Sequence, residues 1–265
     1  MEFTPTLGYL CALLIGVILG LIGGGGSILT VPVFVYLLSI NPVTATAYSL
    51  FVVGVSALVG AFRNLQKGWV DVRTAIVFAI PAFIAVYIAR KFALPAIPDE
   101  LFSVGDFLVT KSVGIMVFFA FIMLIASVSM IRERKGKADT SDSPRFNYPM
   151  IVLEGLLIGF ITGLVGAGGG FLIIPALVLL AKLPMKKAVA TSLLIIAIKS
   201  LIGFLGDVQT MSIDWKFLLS FTLLSVIGIF IGVWLQKFID GNRLKKAFGW
   251  LVLVMGVYII VMEIT

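Results

Sequence analysis

The stretch "LIGGGGSILTVP", Leu21–Pro32, sets four consecutive glycines inside an apolar run, and "LVGAGGGFLIIP", Leu164–Pro175, does nearly the same. Glycine costs about 1 kcal/mol relative to alanine in a helix interior. A single bilayer-spanning helix is therefore a poor reading of either stretch, and each predicts a break between two helices.

The two stretches are related. Shifted by 143 positions, Leu10–Arg73 aligns without gaps onto Leu153–Lys216. Gly16, Gly20 and Gly23 fall on Gly159, Gly163 and Gly166, and Gly25-Gly26 on Gly168-Gly169. Pro32 falls on Pro175, Ser49 on Ser192, Gln66 on Gln209 and Asp71 on Asp214. Shared apolar composition can align leucines but not this set of Gly, Pro, Ser, Gln and Asp, so the chain holds an internal repeat.

Around the repeat the chain is 60% hydrophobic and 12% charged over 265 residues. Several apolar runs approach the ~18 residues that cross a bilayer. The fold class is an all-α polytopic membrane protein; a β-barrel would show short alternating strands. The N-terminus lacks a basic n-region and a small-residue cleavage site, so its apolar segment is expected to be retained. Cys11 is the single cysteine and there is no histidine. This argues against an intrachain disulfide, a multi-cysteine metal site and the commonest general acid/base. No cofactor or metal is expected. The net charge of +7 fits basic cytoplasmic loops better than nucleic-acid binding.

Ten apolar segments follow, five in each half: about Leu7–Gly23, Ser27–Ile40, Val43–Phe62, Val72–Ala89 and Lys111–Ile131, then Met150–Val165, Phe171–Leu183, Ala188–Leu205, Trp215–Leu235 and Ala247–Met262. The polar run 132–149 reads as a linker between a first membrane repeat, 1–131, and a second, 150–265. With that linker cytoplasmic, fifteen Lys and Arg lie inside: Arg63, Lys67, Arg73, Arg132, Arg134, Lys135, Lys137, Arg145, Lys182, Lys186, Lys187, Lys237, Arg243, Lys245 and Lys246. Four, Arg90, Lys91, Lys111 and Lys216, lie in outer loops. The positive-inside rule selects this orientation. Five segments per half is odd, so the halves are expected to be inverted, with both termini outside. Inverted repeats recur in secondary transporters.

Ser27–Ile40 would be only ~21 Å long as helix, short of a ~30 Å core. The expectation is a re-entrant or broken helical hairpin with its glycine tip inside the membrane. Whether Ser27–Ile40 and Phe171–Leu183 cross fully stays open. Irregular backbone at that depth is tolerated only where it is buried in protein or lines a wet cavity. The second helix of each hairpin begins at the glycines, where unpaired N–H groups and the positive dipole end favour an anion. Close helix packing is the competing explanation, and it is preferred for Gly16, Gly20, Gly54, Gly60 and Gly203.

Candidate substrate-binding residues are Gly24, Gly25, Gly26, Ser27, Gly168, Gly169 and Gly170. The hydroxyls of Thr46, Tyr48, Ser49, Thr191 and Ser192 join them, although each could instead bond its own helix carbonyl. Lys199 is the one basic residue deep in an apolar segment, which marks a functional candidate. The alternative is snorkelling toward the outer face. Asn64, Gln66, Asp207, Gln209 and Glu154 are candidates for gating or proton coupling, with loop capping or an interfacial position as the plainer roles. Trp69, Trp215, Trp234 and Trp250 fit an interfacial belt.

The motif "GLIGGGGSILTVPVFVYLL…NPVTATAYSL", repeated as "GLVGAGGGFLIIPALVLL…LPMKKAVATSLL", resembles the sulfite exporter TauE/SafE family of prokaryotic membrane proteins. The resemblance covers almost the whole chain as two family repeats. It implies a multi-pass cell-membrane protein that moves sulfur-containing anions, such as sulfite and sulfoacetate, generally outward. The expected function is a secondary transporter of small anions working by alternating access, with a small-anion channel as the alternative. An intramembrane enzyme lacks a catalytic set. Nothing resembles a P-loop, so coupling to ATP is not expected. The expected partners are the substrate anion, the lipid bilayer and a coupling proton. Oligomeric state is not legible.

Overall fold

The computed structural model describes residues 4–24, 26–104, 107–131, 148–166, 168–179, 183–209, 211–239 and 241–264. Of the linker 132–149, only its last two residues lie within that range, and they already belong to a helix.

Among the described residues ten helices carry the fold. They are α1 Thr4–Ile22, α2 Gly26–Pro32, α3 Pro42–Gln66, α4 Val72–Ile88, α5 Lys111–Ile131, α6 Tyr148–Val165, α7 Gly170–Leu179, α8 Met185–Val208, α9 Trp215–Leu235 and α10 Gly241–Ile264. α2 runs on through a π-helical turn, Val33–Leu37, and α4 through a second, Ala89–Ala93, into Leu94–Ala96. Among the described residues five helices are long and apolar enough to cross a membrane: Pro42–Gln66, Val72–Ala96, Lys111–Val128, Met185–Val208 and Trp215–Leu235. α2 is not. Its seven residues and the five of its π-helical turn span about 18 Å. α7, with ten residues, spans about 15 Å.

One element was not expected. A short antiparallel hairpin, β1 Glu100–Val104 with β2 Phe107–Thr110, interrupts the α4–α5 connection, pairing Val104 with Phe107 and Ser103 with Leu108. Its β-branched and aromatic residues flank a two-residue connection, a hairpin signal too short to register against the surrounding apolar segments.

α3 and α8 form the centre and pack along each other, while α1 packs along α9, α4 along α6 and α5 along α10. Small residues allow this closeness. Gly16 and Gly20 on α1 meet Gly228 and Gly232 on α9, where an added Cβ would come within about 3 Å of the facing Cα. Gly155, Gly159 and Gly163 on α6 meet Pro81, Ala82, Val86 and Ala89 around α4 in the same way. These contacts support packing as the role of Gly16, Gly20, Gly159 and Gly163. α4 turns an exposed stripe outward at every fourth residue, Val72, Ile76, Ile80, Ile84 and Ile88, and buries Ala75, Ala79 and Ala82 inward. That is the pattern of a helix between lipid and protein.

The α4 extension corrects the sequence reading. Arg90, counted above in an outer loop, lies in the π-helical turn and is 1% exposed. The apolar run resumes after Arg90 and Lys91 as "FALPAI", so the helix continues past the two charges that seemed to end it.

Candidate functional site

α1 and α6 end alike. Gly23 has φ 77° and its N–H donates to the Leu19 carbonyl at 2.8 Å; Gly166 has φ 70° and donates to the Thr162 carbonyl at 2.9 Å. The left-handed conformation needs glycine, and it turns the chain out of each helix. The two tips then meet. A Cβ added to Gly24 would run into the backbone of Gly170, and one added to Gly170 into the backbone of Gly24. Gly23 lies against Val189 and Ser192 of α8, and Gly166 against Thr46 of α3.

The tips differ in what lies beneath them. Gly26 packs on Ile15 and Leu19 of α1, an apolar seat. Gly169, with φ 70°, packs on Thr162, and a Cβ there would lie 2.6 Å from the Lys199 Nζ. Gly168 also sits at positive φ, 62°. Gly25 lies outside the described residues, as does the Ser27 side chain, although the Ser27 backbone is part of α2.

Lys199 is 1% exposed and does not snorkel: its Nζ donates to Thr162 Oγ1 at 2.6 Å. Thr162 Oγ1 in turn donates to the Ile158 carbonyl at 2.7 Å. Among the described residues Lys199 has no carboxylate partner.

A second buried cation stands close by. Arg90 Nε donates to Asp207 Oδ2 at 2.7 Å, and Nη2 pairs with the same oxygen at 2.6 Å. Arg90 Nη1 donates to Thr46 Oγ1 at 2.9 Å and to the Gly163 carbonyl at 3.3 Å. The guanidinium thereby ties α4 to α8, α3 and α6. Thr162 and Gly163 belong to the last turn of α6, so both cations stand at the negative end of its dipole.

The other candidates are placed as follows. Thr46 Oγ1 donates to the Val43 carbonyl at 2.7 Å, leaving its lone pairs to Arg90. The Ser192 hydroxyl faces the carbonyls of Gly23 at 2.9 Å and Val189 at 2.8 Å. Ser49 is fully buried, and its hydroxyl has no hydrogen-bond partner among the described residues. Tyr48 and Thr191 are structural acceptors: the Asp214 N–H donates to Tyr48 Oη at 2.8 Å, and the Asp71 N–H to Thr191 Oγ1 at 3.0 Å. Asp71 and Asp214 themselves cap α4 and α9, accepting from Thr74 and Phe217. Gln66 and Gln209 are exposed at the ends of α3 and α8. Asn64 is buried, its amide donating to the Gly60 carbonyl at 3.1 Å. Glu154 is half-buried, eight residues or about 12 Å along α6 from Thr162, and does not join the tips.

At the α1 N-terminal end a cavity of about 550 Å³ is lined by Tyr9, Leu38, Thr44, Tyr48, Asp214 and Phe217, among others. Phe34, Tyr48, Phe217 and Phe221 pack ring on ring beneath it, with centroids 4.7 to 6.2 Å apart.

The family pattern of the sulfite exporter TauE/SafE proteins spans residues 8–259. The chain belongs to the sulfite exporter TauE/SafE family. As a TauE/SafE protein it is a membrane transporter rather than an enzyme. It is 28% identical to a "Probable membrane transporter protein" of Xylella fastidiosa strain Temecula1, across 93% of this chain and 91% of that protein. It is 26% identical to "Probable membrane transporter protein YunE" of Bacillus subtilis, across 78% and 80%. It is 32% identical to a probable membrane transporter protein of Methanocaldococcus jannaschii, across 42% and 43%. No solved structure matches this TauE/SafE chain.

Sequence reasoning missed Arg90. Its trace was indirect: Asp207, a carboxylate near the end of an apolar segment, needs a buried partner. The repeat could not supply one, because Arg90 and Asp207 align with Val233 and Asn64.

Proposed function

We propose that this TauE/SafE protein is a secondary transporter of small anions, of the sulfur oxyanion or organosulfonate type, exporting them by alternating access around the meeting glycine tips. The observation that carries the reading is Lys199, buried beside Gly169 and without a carboxylate partner among the described residues. A lone ammonium in a low-dielectric interior calls for a counter-ion. The close backbone at Gly169 and Gly170 and the Thr162 hydroxyl add polar groups to the same region. Contact between Gly24 and Gly170 supports a gated carrier over an open channel.

The halves 1–131 and 150–265 form two inverted repeats, with 132–149 cytoplasmic and both termini outside. Reciprocal packing supports this. Gly16 meets Ser225 and Gly159 meets Ala82; Gly20 meets Ile229 and Gly163 meets Val86. Each pair maps onto the other by the 143-residue shift. Removing Arg90 from the outer loops strengthens the charge bias that orients the chain. With Asp207 held by Arg90, it is better suited to fastening helices than to carrying a coupling proton.

Flux into proteoliposomes tests the function. Uptake of sulfite or of a small sulfonate that Lys199→Met removes supports it; liposomes that stay as tight as empty controls reject it.

A further inference from the structure

α3 and α9 pack side by side and end together. Ser56 donates to Ser225 Oγ at 2.9 Å, and further along the Arg63 guanidinium lies 5.3 Å from the Phe230 ring centroid, so the two helices run in parallel. Three cations gather at their shared end. Arg63 stands in the last turn of α3, Lys67 is its C-cap, and Lys237 comes two residues after α9. They are near enough to repel: burial first, then Arg63 and Lys237, lower the pKa of Lys67 from the ordinary lysine value. Among the described residues none of the three has a carboxylate partner. We propose that this cluster binds the phosphate headgroup of an anionic phospholipid, whose acyl chains lie along the seam between α3 and α9. The inference stands apart from the anion-carrier reading above.

Two observations select a lipid. The first is uncompensated charge. The C-terminal dipole ends of α3 and α9 together supply a charge of only about −1 against three cations, so an anion is still called for. The second is the surface beside the cluster, which is apolar and open. Phe62 and Leu65 on α3 are exposed, as are Phe230 and Trp234 on α9. Phe238 continues the α9 side next to Lys237, its ring 5.2 Å from that of Trp234. A small soluble anion has no use for that surface. A phospholipid matches both parts, with phosphate for the guanidinium and ammonium groups and acyl chains for the rings. The positive-inside bias places cations at this face but does not require them to converge. Nor does the repeat, since the matching seam between α8 and α4 has Gly206, Thr210 and Leu94 in their places. In the orientation proposed above, the cluster faces the cytoplasmic leaflet, where anionic lipids concentrate.

The test is native mass spectrometry of the purified full chain offered equal amounts of dioleoylphosphatidylglycerol and dioleoylphosphatidylcholine. Each basic residue near an anionic headgroup is worth about a fivefold preference, so three should give a retention ratio on the order of 100 for phosphatidylglycerol. Arg63→Gln with Lys237→Gln should lower that ratio at least about tenfold. Lys237→Gln alone, at an exposed position, should lower it about fivefold and keeps the test open if the pair fails to fold. Arg73→Gln with Lys187→Gln removes two exposed cations from the starts of α4 and α8 and should leave the ratio within about twofold of the parent. Equal retention of the two lipids by the parent overturns the proposal. Equal losses in the two paired variants also overturn it, because diffuse surface charge would then be the cause. A preference that millimolar inorganic phosphate erases at constant ionic strength overturns the lipid and makes the cluster a site for a soluble anion. None of these outcomes bears on sulfonate flux, so the carrier reading stands or falls separately.

Discussion

The two glycine tips share a backbone plan and differ in chemistry. Each first helix ends in a left-handed glycine, Gly23 or Gly166, four residues after Leu19 or Thr162. The second helices then close alike at their far ends. The Ile40 N–H reaches the Phe34 carbonyl at 2.9 Å, and the Leu183 N–H reaches the Leu177 carbonyl at 3.0 Å, positions again 143 apart. Beneath the tips the likeness stops. Leu19 and Ser56 stand in the first half where Thr162 and Lys199 stand in the second. Glycine, proline and the caps preserve a scaffold, while the residues that carry charge are free to diverge. The comparison teaches that backbone geometry is shared here and electrostatics is not, which is why the proposed site lies at the second tip.

The largest effect should come from breaking that asymmetry at its source. Lys199→Met should lower anion flux by a factor on the order of 100, the equivalent of ~3 kcal/mol for one charge-assisted contact. Ser56→Ala, at the matching place, should change flux less than about threefold. Equal losses in the two would put the site on the symmetry axis rather than at one tip. Lys199→Met should not lower the thermal midpoint in detergent, since it removes a buried charge rather than a stabilising pair.

Next in size is the ion pair that the first half lacks. Asp207→Asn should destabilise the protein by about 3–5 kcal/mol, because Arg90 is left charged and buried. Adding Arg90→Val, which copies the Val233 and Asn64 found at the aligned positions, should recover most of that loss in a denaturation midpoint. Failure of the second change to help would mean that Arg90 stabilises through Thr46 and Gly163 rather than through Asp207.

Smaller effects should be symmetric. Gly24→Val and Gly170→Val each drive a side chain into the opposing tip, and each should cost about 1–3 kcal/mol. Both should slow flux, because the tips can no longer touch. A strong effect from one and none from the other would show that the contact is not shared. Smallest of all, Tyr48→Phe and Thr191→Val each remove an acceptor from one backbone N–H, of Asp214 or Asp71, and should cost about 1 kcal/mol apiece. Comparable thermal shifts would mark the two caps as matching parts of one scaffold.

Much of this was legible in the chain. Composition exposed a helical membrane protein, and "GGGG" with "GAGGG" placed both helix breaks within a residue or two of their positions. Glycine and proline act locally, through φ and through missing N–H groups, so their effect survives without knowing the neighbours. Ser192 and Lys199 stood out in the sequence as substrate-binding candidates; the structure buries both and shows that Ser192 binds the Gly23 carbonyl of the opposing tip. Tyr48 and Thr191 were marked as hydroxyl donors and prove to accept backbone N–H groups from the starts of α9 and α4. A hydroxyl does either, and the choice depends on what packs against it.

The sequence by itself determined that the chain lives in a membrane, that the sequence repeats at a spacing of 143, and where its helices must break. These follow from transfer free energies and backbone dihedrals, which are properties of short segments. Tertiary structure alone decided that Gly24 meets Gly170, that Arg90 leaves its apparent loop to pair with Asp207, and that Lys199 is the buried cation left over. Those three are separated in sequence by 146, 117 and, from Lys199 to Thr162, 37 positions. A charge is paired or unpaired only in relation to what folding brings beside it.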